Sequence, residues 1–329
     1  MGFQANADAG APPLAQGSAP AKLILMGEHA VVHGFPAVAL PVPALAATVV
    51  AWQTPGPLRL HSPVFTGPIA EAAAVPAAAR GLAAAARQAL AMLGRPADGL
   101  TLEVRSEVPM GAGLGSSAAV AVALVRAIYA ACGRTPSEEA LLVLAHRAET
   151  EAHGTPSGVD SHTSALGRPI CYVQGQGARR LALPRPLYLV VADSGRPGHT
   201  GEAVQAVAAR LRSEPTATRD RLERLGQLAE AVVRALESGV VEAAGPLFDA
   251  AHGELAELGV SDAGLDRLVA AARLAGARGA KLTGGGRGGC IVALAADAAE
   301  QERLVSALTA AGAARVWRVT QPPVEKADS

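Results

Sequence analysis

Apolar and polar residues alternate through Leu100-Thr-Leu-Glu-Val-Arg-Ser-Glu-Val108, the pattern of a strand with one buried face, and Pro109 ends it. Upstream, the apolar run Lys22-Leu-Ile-Leu-Met26 predicts an opening strand, and Ala47-Thr-Val-Val50 a buried one. An alanine-rich helix is expected over about 77–93. Ser116 and Ser117 are good caps for an apolar helix over Ala118–Ala131, which Gly133 closes. A further helix runs from about Pro136 to His153 and gives way to the loop Gly154–Gly158. After Leu183-Pro-Arg-Pro186 comes a strand, Leu187–Ala192, and then a more charged region in which Leu222, Leu225, Ala229, Val232 and Leu236 share one helical face. Helices at about 240–257 and 262–277 and a strand at Cys290–Leu294 complete the pattern. Strands first and helices in runs fit antiparallel sheets with packed helices, an α+β order, better than a doubly wound sheet. The organisation expected is an extension over 1–19 without fixed structure, a first domain over 20–184 and a second over 185–329.

Composition narrows this picture by exclusion. The 329 residues carry 29 Lys+Arg against 29 Asp+Glu, so no net field draws the chain to nucleic acid or to an anionic membrane. Phe35–Leu58 holds no charge and is long enough to span a bilayer, but Pro36, Pro41, Pro43, Pro55 and Pro57 would break a helix there repeatedly. Met1–Ala19 lacks both the basic start and the apolar run of a leader. The three cysteines, Cys132, Cys171 and Cys290, are too few and too scattered for a disulfide framework or a zinc site, which fits a reducing cytoplasm.

Chemistry concentrates in Pro109-Met-Gly-Ala-Gly-Leu-Gly-Ser-Ser-Ala-Ala119, where three glycines stand directly before an apolar helix. Glycine lets the backbone approach an anion, and the first-turn amides and dipole of the helix attract phosphate. The segment is neither a Walker loop, since no Lys follows the last glycine, nor a dinucleotide fingerprint, whose third glycine would fall at Ser116. Taken alone it also fits a turn that merely packs helix on strand. A second glycine-rich loop, Lys281-Leu-Thr-Gly-Gly-Gly-Arg-Gly-Gly-Cys290, lies far downstream and fits a tight turn equally well. Phosphoryl transfer also needs a hard cation, a proton acceptor and a positive charge. Glu149 and Asp160 flank the loop 154–158, and Lys22 opens a strand, where a lone lysine is ordinarily a solvated edge residue.

Together three segments resemble the GHMP kinases, in the family's order: Ala21-Lys-Leu-Ile-Leu-Met-Gly-Glu-His-Ala-Val-Val-His-Gly34, Pro109–Ala119 and Lys281–Cys290. The resemblance runs from Pro20 to about Val319. It implies a two-domain α+β fold, with an N-terminal domain like domain 2 of ribosomal protein S5, a ferredoxin-like C-terminal domain and an active site in the cleft. It implies ATP and Mg2+ and a small alcohol bearing an acid group as acceptor; a galactokinase would continue Gly-Glu-His with Thr-Asp-Tyr. By motif position, Gly111, Ala112, Gly113, Leu114, Gly115 and Ser116 are expected to wrap the phosphates with Ser106 near the nucleotide, and Ser117 and Glu149 to hold magnesium. Asp160 is expected to face the acceptor hydroxyl, with Lys22 beside it. Glu28 and His29 are expected to shape the acid's pocket, with Thr200 near the aspartate and Gly284, Gly285 and Gly286 forming the third loop. Relatives are often homodimers, which these residues neither require nor exclude. Arg287, which interrupts the third glycine run, is left with two readings, a phosphate contact or a solvent-facing side chain.

Overall fold

The structure is a computed structural model that describes residues 12–71, 75–154 and 156–325. In chain order the elements are strands β1 (Ala15–Met26), β2 (Ala37–Pro57), β3 (Arg59–Ser62) and β4 (Phe65–Pro68), helix α1 (Ala77–Met92) and strand β5 (Asp98–Ser106). Helices α2 (Ser116–Ala131), α3 (Glu138–His153) and α4 (Val159–Leu166) follow, then strands β6 (Ile170–Val173), β7 (Gly177–Arg180) and β8 (Leu187–Asp193). The remainder is α5 (Thr200–Ser213), α6 (Pro215–Glu237), α7 (Ala244–Glu257), α8 (Ala263–Leu274), β9 (Gly279–Thr283), β10 (Cys290–Ala295), α9 (Ala298–Ala310) and β11 (Arg315–Gln321).

The described residues form two compact units, and the chain passes between them several times: those within 23–41, 110–114 and 168–325 form one, and those within 12–22, 42–109 and 115–167 the other. The boundary expected between 184 and 185 therefore lies inside one unit.

In the unit that holds Lys22, β2 pairs antiparallel with β5 from Ala47 to Gln53, β5 runs parallel to β3, and β4 closes on β3. Helices α1, α2 and α3 pack together, with α4 against α2 and α3. Their buried faces are built mainly from alanine, valine and leucine, with Tyr129 the one ring among them, so small side chains fill most of the space between the helices. The extension expected over 1–19 is corrected in part. Residues 1–11 lie outside the described residues, but Ala15–Ala19 belong to β1, and Ala19 is buried. The Ser18 hydroxyl donates to Ala47 O at 3.1 Å, while Arg126 reaches Ser18 O at 2.6 Å and Ala165 O at 2.9 Å, so tertiary bonds order a segment whose own composition specifies little.

In the other unit β6 pairs antiparallel with Ala37–Ala39 of β2 and with β7, and a four-stranded antiparallel sheet runs in the order β11-β8-β10-β9, with α7, α8 and α9 packed against its strands. The uncharged stretch is thus almost wholly one long strand, β2. Pro41 and Pro43 fall between the residues that pair with β6 and those that pair with β5, and Pro57 follows a bulge, so no ladder bond on that edge asks for their missing N–H. Among the described residues no helix is long and apolar enough to cross a membrane.

Candidate active site

Lys22 stands on β1 with its side chain 4% exposed, and its Nζ lies 3.0 Å from Asp160 Oδ1, so it is an interior cation facing an acid and not a solvated edge residue. Asp160 belongs to the first turn of α4, where its charge also suits the helix dipole. No sequence pattern announces that helix. It is two turns long, too short for a periodic signal, and it starts at Gly158 in a left-handed conformation with no capping side chain to announce it.

Glu149, on α3, is buried beside them. Burial, then the charge of Asp160, push its carboxyl up to about 7, against the opposing pull of the Ser117 hydroxyl, which hydrogen-bonds it, and of Lys22. Its Oε1 is buried without a hydrogen-bond partner. A carboxylate with an unused buried oxygen, a hydroxyl next to it and a second carboxylate close by is a donor set for a hard cation. Among the described residues no group of three or more His, Cys, Asp or Glu could hold a metal alone, so such a cation would need oxygens from a ligand.

The cap expected of Ser116 or Ser117 is corrected. Gly115 is the N-cap of α2, at φ 71, and no side chain caps the helix. A Cβ at Gly115 would lie 2.6 Å from Lys22 Cγ, so both the backbone conformation and the lysine stem require glycine there. The Ser116 hydroxyl is directed to Val108 O at 3.4 Å, and the Ser106 hydroxyl takes the Val108 amide at 3.2 Å, fixing the turn that leads into the loop.

Residues 110–114 belong to the other unit and lie there against the third motif. Gly198 N donates to Gly111 O at 2.8 Å, and a Cβ on Gly113 would be 3.6 Å from Thr283 O. The Thr200 hydroxyl presses on Gly285, where a Cβ would meet it at 2.5 Å. The two glycine-rich loops, distant in sequence, are therefore neighbours. Arg287, half-buried at φ 53, donates its Nε to Gly259 O at 3.2 Å and its amide to Val260 O at 2.8 Å, bracing the third loop against the end of α7.

Glu28 and His29 are in this unit as well. His29 Nε2 lies 2.9 Å from Gly285 O and its Nδ1 is buried without a partner. Burial pushes the imidazole down to about 4, although the bond to Gly285 raises it, so the ring is neutral near pH 7. Its proton sits on Nε2 facing the carbonyl, and Nδ1 is left as a bare acceptor. Glu28 bonds Lys281, a partner that no sequence pattern singles out, because Lys281 reads as the edge of a glycine-rich turn.

Two family models match the chain. The family model described as GHMP kinases N terminal domain matches residues 77–168, and GHMP kinases C terminal matches 232–314. The chain belongs to the GHMP kinases, ATP-dependent kinases of small molecules. Its relatives narrow the class further. It is 36% identical over 313 residues to a mevalonate kinase of Thermococcus onnurineus, covering 90% of this chain and 92% of that one. It is 35% identical over 318 residues to a mevalonate kinase of Pyrococcus abyssi, covering 92% and 94%. The solved L. major mevalonate kinase in complex with R-mevalonate superposes with a TM-score of 0.80 at 27% identity, over 95% of this chain and 99% of that one.

Proposed function

We propose that the chain transfers the γ-phosphoryl group of ATP to the primary hydroxyl of mevalonate, giving 5-phosphomevalonate and ADP. The observation that carries this is the Lys22–Asp160 pair at 3.0 Å with Glu149 and Ser117 beside it. Asp160 accepts the hydroxyl proton as the oxygen attacks the γ-phosphorus; the new O–P bond forms while the bond from that phosphorus to the bridging oxygen breaks, and ADP leaves with the electron pair. The Lys22 ammonium holds Asp160 in place and offsets the charge that develops on the attacking oxygen. Backbone amides of residues 111–116 and of the 284–286 loop would take the phosphates, and Ser106 would lie near the nucleotide. Thr200 would order the acceptor side.

The orphaned Glu149 oxygen and the Ser117 hydroxyl fit Mg2+, which would neutralise phosphate charge when bound. His29 fits an alcohol better than a carboxylate, because its bare Nδ1 can only accept a hydrogen bond; that favours the tertiary hydroxyl of mevalonate over its acid group. All three cysteines are free thiols, which suits a cytoplasmic enzyme.

The test is coupled ADP release with mevalonate and with phosphomevalonate offered separately. Mevalonate should be the better acceptor, and Asp160→Ala should lose turnover by about a thousandfold or more while still binding ATP, in keeping with loss of a proton acceptor. Undiminished turnover in that variant, or preference for phosphomevalonate, would reject the reading.

A further inference from the structure

The chemistry above leaves Lys281 unused. Its side chain is 0% exposed, and Glu28, which it bonds, is 1% exposed. Of the 29 Lys and Arg only three are lysines, Lys22, Lys281 and Lys326. Among the described residues the two buried cations are Lys22 and Lys281, each against a carboxylate, while the arginines stay at least partly exposed. Among the described residues the surface Lys and Arg positions are all arginine. A compact ammonium on a linear stem fits an enclosed site that the broad planar guanidinium does not.

Stability is a poor reason for this pair. Taking both charges from water costs about what their attraction returns, and a well-packed apolar pair commonly serves a fold as well. Nor is the pair fully satisfied: Lys281 Nζ donates to Glu28 Oε1 and to Leu282 O at 2.7 Å, but Glu28 Oε2 is buried with no partner. What the pair does hold is an unusual turn. Glu28 sits between Gly27 at φ 94, which packs on Pro36 and Ala37 with no room for a Cβ, and His29, a non-glycine residue at φ 62. The surroundings must impose such a backbone. Lys281 grips its middle, Gly285 O takes His29 Nε2, and Thr283, two residues along β9, donates its hydroxyl to Ile24 O at 2.7 Å.

We propose that Lys281 is a positioning residue that acts through Glu28 to fix the Gly27-Glu28-His29 turn, so that His29 Nδ1 is presented as an acceptor to the alcohol substrate. Glu28 is then the internal counter-ion of Lys281 and does not line the acid's pocket itself. This rests on the reading of His29 given above.

The double variant Glu28→Leu/Lys281→Met replaces the pair by apolar groups of similar length, and Lys281→Met alone strands the Glu28 charge. The single variant should melt well below wild type. The double should melt within a few degrees of wild type yet raise the KM for mevalonate by about tenfold or more, with the KM for ATP within about twofold. In 15N-histidine spectra the His29 signal, assigned with His29→Gln, should lose the neutral Nε2–H pattern in the double variant. A double variant with wild-type mevalonate KM and His29 signal would overturn the proposal. So would one that melts more than about ten degrees low, since the pair would then be holding up the fold. Absence of mevalonate turnover in the wild type would instead sink the functional reading, and the His29 signal would still decide the positioning role.

Discussion

At the scale of single residues, the groups that carry chemistry are those whose burial conflicts with their charge. Glu149 is the clearest, since its carboxyl titrates near 7 in the folded chain against an ordinary value of 4.5. Between those two values the unfolded chain releases the proton and the folded one keeps it, so this group makes stability fall as pH rises from about 4.5 to 7. His29, pushed down to about 4, acts the opposite way below 6.5, because there the unfolded chain takes up a proton that the folded one refuses. The prediction is therefore a difference. Glu149→Gln should match wild type in melting temperature near pH 4.5 and gain on it steadily to about pH 7, by at most about 3 kcal/mol, with no further gain above. Parallel melting curves across that range would show that Glu149 is an ordinary carboxylate. Composition cannot reveal such a group: Glu149 reads as one more charge at the end of a helix, and only burial, and then the approach of Asp160, change its chemistry.

Elements show which part of the sequence was readable. The long periodic helices α1, α2, α3 and α6 and the alternating strand β5 lie within a few residues of where their patterns place them, because their buried faces repeat over several turns or pleats. Strand β1 starts earlier than its apolar run because Arg126 and Ala47 bind its first residues, and α4 is invisible because eight residues give no period. The motif glycines were legible as a group, but their individual reasons were not. Two glycines bound the same helix: Gly115 before α2 at φ 71, and Gly133 after it at φ 68. They differ in surroundings, since a Cβ at Gly133 meets nothing within 4 Å while one at Gly115 strikes the Lys22 stem. Alanine at either position should cost about 1 kcal/mol from the left-handed backbone alone. Only Gly115→Ala should also displace Lys22 from Asp160, lowering kcat by about tenfold or more. Urea unfolding and steady-state kinetics on the two variants separate these effects; equal kcat values would show that the glycine serves the backbone alone.

For the whole molecule, the sequence marked a linker at 183–186 and hence one crossing, whereas the chain changes unit after Lys22, Pro41, Pro109, Leu114 and Gly167. The first motif begins at one of these crossings and the second holds two of them, which no composition shift announces because four of the five crossings lie inside a motif or a strand. What the whole protein gains from its ligand follows from mass action. If Glu149 and Ser117 hold the cation that neutralises a nucleotide's phosphates, ATP binds fully only as its magnesium complex, and binding to the folded chain alone stabilises it by about 2.7 kcal/mol at a hundred times Kd. For a chain of this size that is a rise of several degrees in Tm. The rise should shrink sharply when a chelator removes the metal, and it should be lost selectively in Glu149→Ala, which keeps the glycine-rich loops but removes the cation's carboxylate. An equal rise with and without chelator would mean that the loops bind the phosphates unaided and that the buried carboxylate serves some other end.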